Sequence, residues 1–166
     1  MPDLLSHALL GHAIHRIRGD GRAEPGAYTL VMAGSLLPDL VSWLPMNVYL
    51  KLEALLDLPS EPERYFPPMH APLLTLLWCL LLALLFVPAL RRRALGALLC
   101  GAAGHVGLDL LQHKYDGGYL VLYPFDLDRY QVGLVSQDDW PLWIALTGLL
   151  CTLISYHGRH RPEEGG

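Results

Sequence analysis

His105 and Asp109 stand four residues apart in the apolar stretch ALGALLCGAAGHVGLDLL, residues 94–111, and are its only acidic or basic side chains. On a helix, positions i and i+4 share a face. A carboxylate placed in hydrocarbon costs on the order of 3 kcal/mol, so it is normally partnered or functional. An imidazole and a carboxylate on one face are a ready pair of metal ligands. The plainer reading of the same pair is a hydrogen-bonded tie between two helices. Three further candidates, His7, Asp39 and His70, each lie in or at the edge of another apolar segment.

The surrounding composition sets the class. Of 166 residues, 52% are hydrophobic and 17% charged, and the mean hydropathy is positive. That is too apolar for an ordinary soluble domain and indicates one small integral membrane domain over residues 1–166. A net charge of −4 supplies no basic surface, so no nucleic-acid partner is expected. Cys79, Cys100 and Cys151 all lie in apolar runs and read as small core residues, with no CxxC pattern. The N-terminus has no basic region ahead of an apolar one, so no signal peptide is expected.

The elements that must carry the candidates follow from the apolar runs. Residues 3–17 predict a short amphipathic helix, with Asp3 in its first turn and Arg16 and Arg18 at its end. Residues 19–26 predict a turn. The run 27–50 predicts a helix broken at Pro38, which lacks an amide and clashes with the preceding turn. A restart near Asp39 follows from that break, and a short interfacial helix at 48–57 is expected to accompany the loop that comes next. Residues 51–69, with Pro59, Pro62, Pro67 and Pro68, predict a loop. Residues 71–90 are twenty without a charge, the length a bilayer needs, and Arg91-Arg92-Arg93 is expected to end them. Residues 94–111 and 140–156 supply two more spans, the last opened by Pro141 and capped by Asp138 or Asp139. The fold class is therefore all-α: an integral membrane helical bundle of about four apolar helices plus a short N-terminal amphipathic helix. Residues 114–139 form an extracytoplasmic loop and 157–166 a polar tail.

Basic residues set the orientation. With alternating spans, Arg16, Arg18, Arg22, the Arg91–Arg93 triplet, Arg159 and Arg161 fall on one side. Only Lys51, Arg64, Lys114 and Arg129 fall on the other. The basic side is then cytoplasmic, and the protein is a multi-pass protein of the inner or plasma membrane. On that plan His7, Asp39, His70, His105 and Asp109 all reach the outer half of the membrane. His113, four residues beyond Asp109, and the loop acid Asp116 are candidate outer-shell partners. His12 and His15 lead toward the arginine end, and His157 and His160 lie in the tail.

Three imidazoles and two carboxylates suffice for one zinc ion, or for two metals sharing carboxylate and water ligands; another divalent metal is an alternative. Such a centre activates water at neutral pH, and phosphoesters are its natural target. Asp39 and Asp109 are the expected catalytic carboxylates, through metal-water activation. No GxSxG, Walker A or GxGxxG pattern offers another nucleophile or phosphate cradle.

Four pieces, SHALLG (Ser6–Gly11), GSLLPD (Gly34–Asp39), MHAP (Met69–Pro72) and GHVGLDLL (Gly104–Leu111), resemble the bacterial and archaeal family of membrane-bound metal-dependent hydrolases, long catalogued as an uncharacterised domain. The segment GGYLVLYPF, Gly117 to Phe125, is similar to that family's Gly-to-aromatic-Pro-Phe segment. The resemblance covers roughly residues 4–126. The family is in turn distantly similar to zinc-dependent phospholipase C and the zinc single-strand nucleases. It implies His7, Asp39, His70, His105 and Asp109 as ligands. The chain departs from the pattern at Val41, where an acid is usual, and at Tyr65-Phe66-Pro67, where His-Arg-Gly is usual. The expected function is metal-dependent, phospholipase C-like phosphoester hydrolysis, with membrane lipids as partners and a lipid or lipid-linked substrate. The alternatives are a non-catalytic membrane protein with a structural His/Asp metal or hydrogen-bond cluster, and a small transporter using Asp109.

Overall fold

The computed structural model of the chain describes residues 4–17, 26–56, 67–114, 117–136 and 138–159. Asp3, Arg18, most of the turn at 19–26, the loop stretch with Tyr65, Asp116 and the tail from His160 lie outside the described residues.

The described residues are mostly helical, with five α-helices: α1 (Leu4–Ile17), α2 (Ala27–Leu56), α3 (Pro72–Leu84), α4 (Pro88–Leu110) and α5 (Trp140–Arg159). A 3-10 turn, Pro67–His70, precedes α3. Two short strands, β1 (Gln112–His113) and β2 (Val135–Ser136), pair in parallel with Gln112 opposite Val135. Among the described residues one helix, α2, is long and apolar enough to cross a membrane; Pro72–Leu84 and Trp140–Ile154 are shorter apolar helices.

The expected break at Pro38 does not occur. Helix α2 runs unbroken through Pro38 and Pro45, and residues 48–56 are its last turns rather than a separate helix, residue 57 lying outside the described residues. Proline removes one amide and one intrahelical bond. Apolar helices tolerate this where side chains satisfy the freed backbone. One turn on, the Ser42 hydroxyl donates to the Pro38 carbonyl at 2.7 Å, a bond separate from the Gly34 carbonyl that the missing amide leaves. Beyond Asp39 the helix continues to Leu56, roughly 25 Å at 1.5 Å per residue.

The third span also differs. Helix α3 stops at Leu84, and Pro88 opens α4 at its first turn, where the missing amide costs nothing. Arg91, Arg92 and Arg93 therefore lie exposed in the first turns of α4. The Arg91 Nε donates to the Phe86 carbonyl at 3.0 Å.

The core lies where α2, α3 and α4 meet: Leu37, Cys79, Ala83, Leu98 and Ala102 are buried together. Helices α2 and α4 cross at backbone contact. A Cβ on Gly34 would lie 2.0 Å from the Leu98 carbonyl oxygen, and one on Gly101 would lie 2.1 Å from that of Val31. Small residues at a crossing are how apolar helices approach closely without side-chain bulk between them. Helix α1 packs on α2, α4 and α5. The Cys151 thiol of α5 donates to the Leu9 carbonyl at 3.0 Å. The outer surface is leucine: Leu73, Leu76, Leu77, Leu80, Leu81 and Leu84 of α3 are all exposed. An apolar surface on that scale suits hydrocarbon better than water.

Candidate metal centre

The close crossing of α2 and α4 sets the positions of the polar groups at its end. His7 comes from α1, Asp39 from α2, His70 from the turn before α3, and His105 and Asp109 from α4. The structure brings these five together, all buried, with His70 the most accessible at 9%. Asp39 sits within α2, not past its end, so α2 runs by the cluster while α3 and α4 begin or finish beside it.

Backbone and hydroxyl groups settle the orientation of two rings. His105 Nδ1 lies 2.7 Å from the Ser35 carbonyl. A carbonyl only accepts, so Nδ1 carries the proton and the neutral ring leaves a lone pair on Nε2. His70 Nδ1 lies 3.1 Å from Ser42 Oγ. That hydroxyl already gives its proton to Pro38, so His70 Nδ1 is the donor and its Nε2 also bears a lone pair. Ser35 makes a second tie, its hydroxyl donating to the His7 carbonyl. The Ser35 carbonyl, in the turn before Pro38, thus fixes the His105 ring by accepting from its Nδ1.

The lone pairs converge. His70 Nε2 is 2.6 Å from Asp109 Oδ2 and 3.0 Å from His105 Nε2. His105 Nε2 is 3.2 Å from the same Asp109 oxygen. Asp39 Oδ1 lies 3.8 Å from His105 Nε2, and Asp39 Oδ2 lies 3.9 Å from His7 Nε2. His7 Nε2 is 3.4 Å from Asp109 Oδ1, and the His7 ring stacks on His105 with centroids 3.7 Å apart.

Electron-pair donors packed this tightly repel unless positive charge lies among them. Four ligands at about 2.1 Å around a tetrahedral zinc stand about 3.4 Å from one another, and the observed separations bracket that value. Two overlapping sets could each hold an ion, His7/Asp39/His105 and His70/His105/Asp109, each with ligand atoms within 4.8 Å of one another. Both nitrogens of His7, Asp39 Oδ1 and Asp109 Oδ1 are buried with no hydrogen-bond partner among the described residues. Buried polar atoms are normally paired, so these are the atoms a cation would satisfy. The donor set fits a zinc-like ion.

A sequence model of the YdjM inner membrane protein family matches residues 1–164. The chain belongs to that family. No curated protein and no solved structure matches it. Family membership together with the apolar α2 makes this an inner membrane protein.

Not every sequence candidate joins the cluster. His113 was expected on the Asp109 face at i+4, but α4 ends at Leu110 and His113 lies exposed in β1. The helix stops because the chain turns to pair with β2: Leu134 N–H donates to the Leu111 carbonyl at 2.8 Å. Asp116 lies outside the described residues. Sequence reasoning missed Ser35 and Ser42, which set the imidazole tautomers. Their positions three before and four after Pro38 were the available signal.

It also missed Tyr119, whose ring stacks on His70 with centroids 5.6 Å apart. Tyr119 is held by backbone bonds in both directions with Tyr130. Gly118 must be glycine for that pairing, because its φ is +114° and a Cβ would lie 2.4 Å from the Tyr130 carbonyl oxygen. In the same loop the Asp126 carboxyl accepts from the Asp128 N–H and the Tyr130 hydroxyl. Those bonds hold its pKa below the ordinary carboxylate value and push that of Tyr130 up.

Proposed function

We propose that the chain is a multi-pass membrane metal-dependent hydrolase that cleaves a phosphoester with metal-activated water. The observation that supports this reading most strongly is the convergence of lone pairs from His70, His105 and Asp109, with Asp39 and His7 beside them. His7, Asp39, His70, His105 and Asp109 would hold one or more zinc ions. A bound zinc ion supplies Lewis acidity and lowers the pKa of a coordinated water toward ~7. Ser35 and Ser42 keep the His105 and His70 Nδ1 atoms protonated and their Nε2 atoms free to ligate. Asp39 and Asp109 contribute negative charge and can take up a proton from water within the centre. The similarity of SHALLG, GSLLPD, MHAP and GHVGLDLL to membrane-bound metal-dependent hydrolases supports the reaction class. The exposed leucine surface and the excess of arginine on one side support a lipid-embedded bundle whose centre faces the extracytoplasmic leaflet. That location favours a lipid or lipid-linked substrate.

A second reading, a structural metal centre without catalysis, is favoured by the burial of all five residues. The test is hydrolysis of bis(4-nitrophenyl) phosphate and of phospholipid micelles by the purified, zinc-restored protein. Hydrolysis lost in His105→Ala and Asp109→Asn is the expected result. A zinc-loaded wild type that cleaves none of these esters favours the structural reading, and activity surviving both substitutions refutes the assigned centre.

A further inference from the structure

The loop between α4 and α5, residues 117–136, is tied to the end of the bundle that holds the His/Asp centre. Val132 N–H and Leu134 N–H donate to the carbonyls of Leu110 and Leu111, at the end of the helix that carries Asp109. Tyr119 and Tyr130 exchange backbone bonds, and the Tyr119 ring stacks on His70. This anchored loop nevertheless turns large apolar side chains outward. Phe125 is 87% exposed, and Leu122, Val132 and Leu134 are exposed as well. Scattered apolar side chains on a surface need no explanation, but a group of them on one short segment marks a contact.

The backbone at the tip of the loop suits an apolar boundary. The N–H groups of Val121, Tyr123, Phe125 and Asp126 all donate to carbonyls within the loop, and Pro124 has no N–H to satisfy. Away from water a backbone amide must find its partner inside the protein. Two neighbouring elements carry the apolar surface to the same end of the molecule. The turns of α2 beyond Asp39 expose Val48, Leu52, Leu55 and Leu56, and their only charges are Lys51 and Glu53. Helix α5, which follows the loop, opens on an exposed Trp140, a residue type that settles between lipid and water.

We propose that the loop between α4 and α5 lies in the lipid–water boundary of the bilayer, with Leu122 and Phe125 among the acyl chains and Asp128 and Arg129 among the headgroups. The partner of this surface is phospholipid of the leaflet beside the His/Asp centre. That choice follows from membership of an inner membrane family and from the leucine surface of α3. The charges set the depth. Asp128 and Arg129, both exposed, follow the apolar tip closely and oppose deeper entry. The immersion is that of an interfacial segment, ~5–10 Å. Through Tyr119 the loop attaches the edge of the centre to the leaflet, whether or not the centre hydrolyses a substrate.

The experiment uses the full chain in phosphatidylcholine bicelles and reads backbone amide NMR signals twice. One sample contains phosphatidylcholine spin-labelled near its headgroup, the other a water-soluble gadolinium chelate. The signals of Leu122 and Phe125 are expected to be lost to the lipid label and kept with the chelate, and Asp128 to show the reverse. Loss of Leu122 and Phe125 to the chelate places the loop in water. Signals kept with both agents show that protein, such as a second copy of the chain, covers the surface. Either result overturns the proposal, as does a Phe125 signal no more sensitive to the lipid label than that of Asp128. A chain carrying both Leu122→Asn and Phe125→Asn is expected to escape the lipid label, with unchanged Tyr119 and Tyr130 amide shifts as the check on folding. Undiminished loss to the lipid label in that folded variant overturns the role given to these two side chains. The wild-type comparison decides the matter even where the variant does not fold.

Discussion

Replacing Gly34 by alanine tests how the helix crossing holds the centre together. The new methyl carbon would lie 2.0 Å from the Leu98 carbonyl oxygen. A tolerable contact needs about 3.2 Å, so α2 and α4 must separate by roughly 1 Å. The obstacle is backbone, which cannot rotate aside as a flexible side chain can. Overpacking of this kind costs about 3 kcal/mol, which corresponds to a loss of roughly 10 °C in melting temperature for a chain of this size. The same separation would stretch the 2.7 Å bond from His105 Nδ1 to the Ser35 carbonyl beyond hydrogen-bonding range. Loss of an outer-shell partner typically lowers metal affinity 10- to 100-fold. Thermal unfolding in detergent and competitive zinc titration read the two effects separately. Gly96→Ala is the control, because a Cβ there meets nothing within 4 Å. A Gly34→Ala protein with wild-type melting temperature and wild-type zinc affinity would refute the reasoning.

Other predictions follow from single contacts. Ser42→Ala removes the acceptor of the His70 Nδ1 proton and should weaken zinc binding about 10-fold while helical circular dichroism is retained; unchanged affinity counts against the tautomer argument. In Asp126→Asn the Tyr130 phenol loses its carboxylate acceptor, so its titration, followed by NMR, should move down toward the ordinary value near 10. The Asp126–Tyr130 contact should also stabilise the loop only within a pH window. Its share from Asp126, whose pKa is lowered, is present above the ordinary carboxylate range and lost as pH falls through the depressed value. Its share from Tyr130, whose pKa is raised, is present below the ordinary phenol range and lost as pH rises through the elevated value. Protection of the Tyr130 amide, taken relative to the intrinsic exchange rate at each pH, should therefore be greatest between those limits, and a flat protection profile would oppose the assignment. For orientation, a cysteine replacing exposed Leu127, in a chain with its native cysteines removed, should react with an impermeant reagent from the extracytoplasmic side; labelling from the cytoplasm alone would reverse the topology.

The cluster was legible because ionisable residues are rare in apolar runs. His105 and Asp109 stood out by cost alone, and His7, Asp39 and His70 stood out as the polar groups at or within the other apolar segments. What sequence could not supply was local backbone behaviour. Pro38 reads as a helix break, yet α2 continues through it, and the Ser35 carbonyl in the turn before it accepts from His105. Pro88 was passed over as an apolar residue within a span, although it is the first-turn proline that starts α4 and carries the arginine triplet with it. His113 followed a helical spacing into a region where strand pairing had already ended the helix. Ser35, Ser42 and Tyr119 act through contacts between segments distant in sequence, and a spacing rule within one segment does not register them.

The most direct test of the account is X-ray absorption at the zinc edge on the purified, zinc-restored protein. The account predicts nitrogen and oxygen ligands at about 2.0–2.2 Å with imidazole outer-shell scattering, diminished in His105→Ala and Asp109→Asn. A protein that retains no zinc, or zinc bound by sulfur at about 2.3 Å, would contradict it.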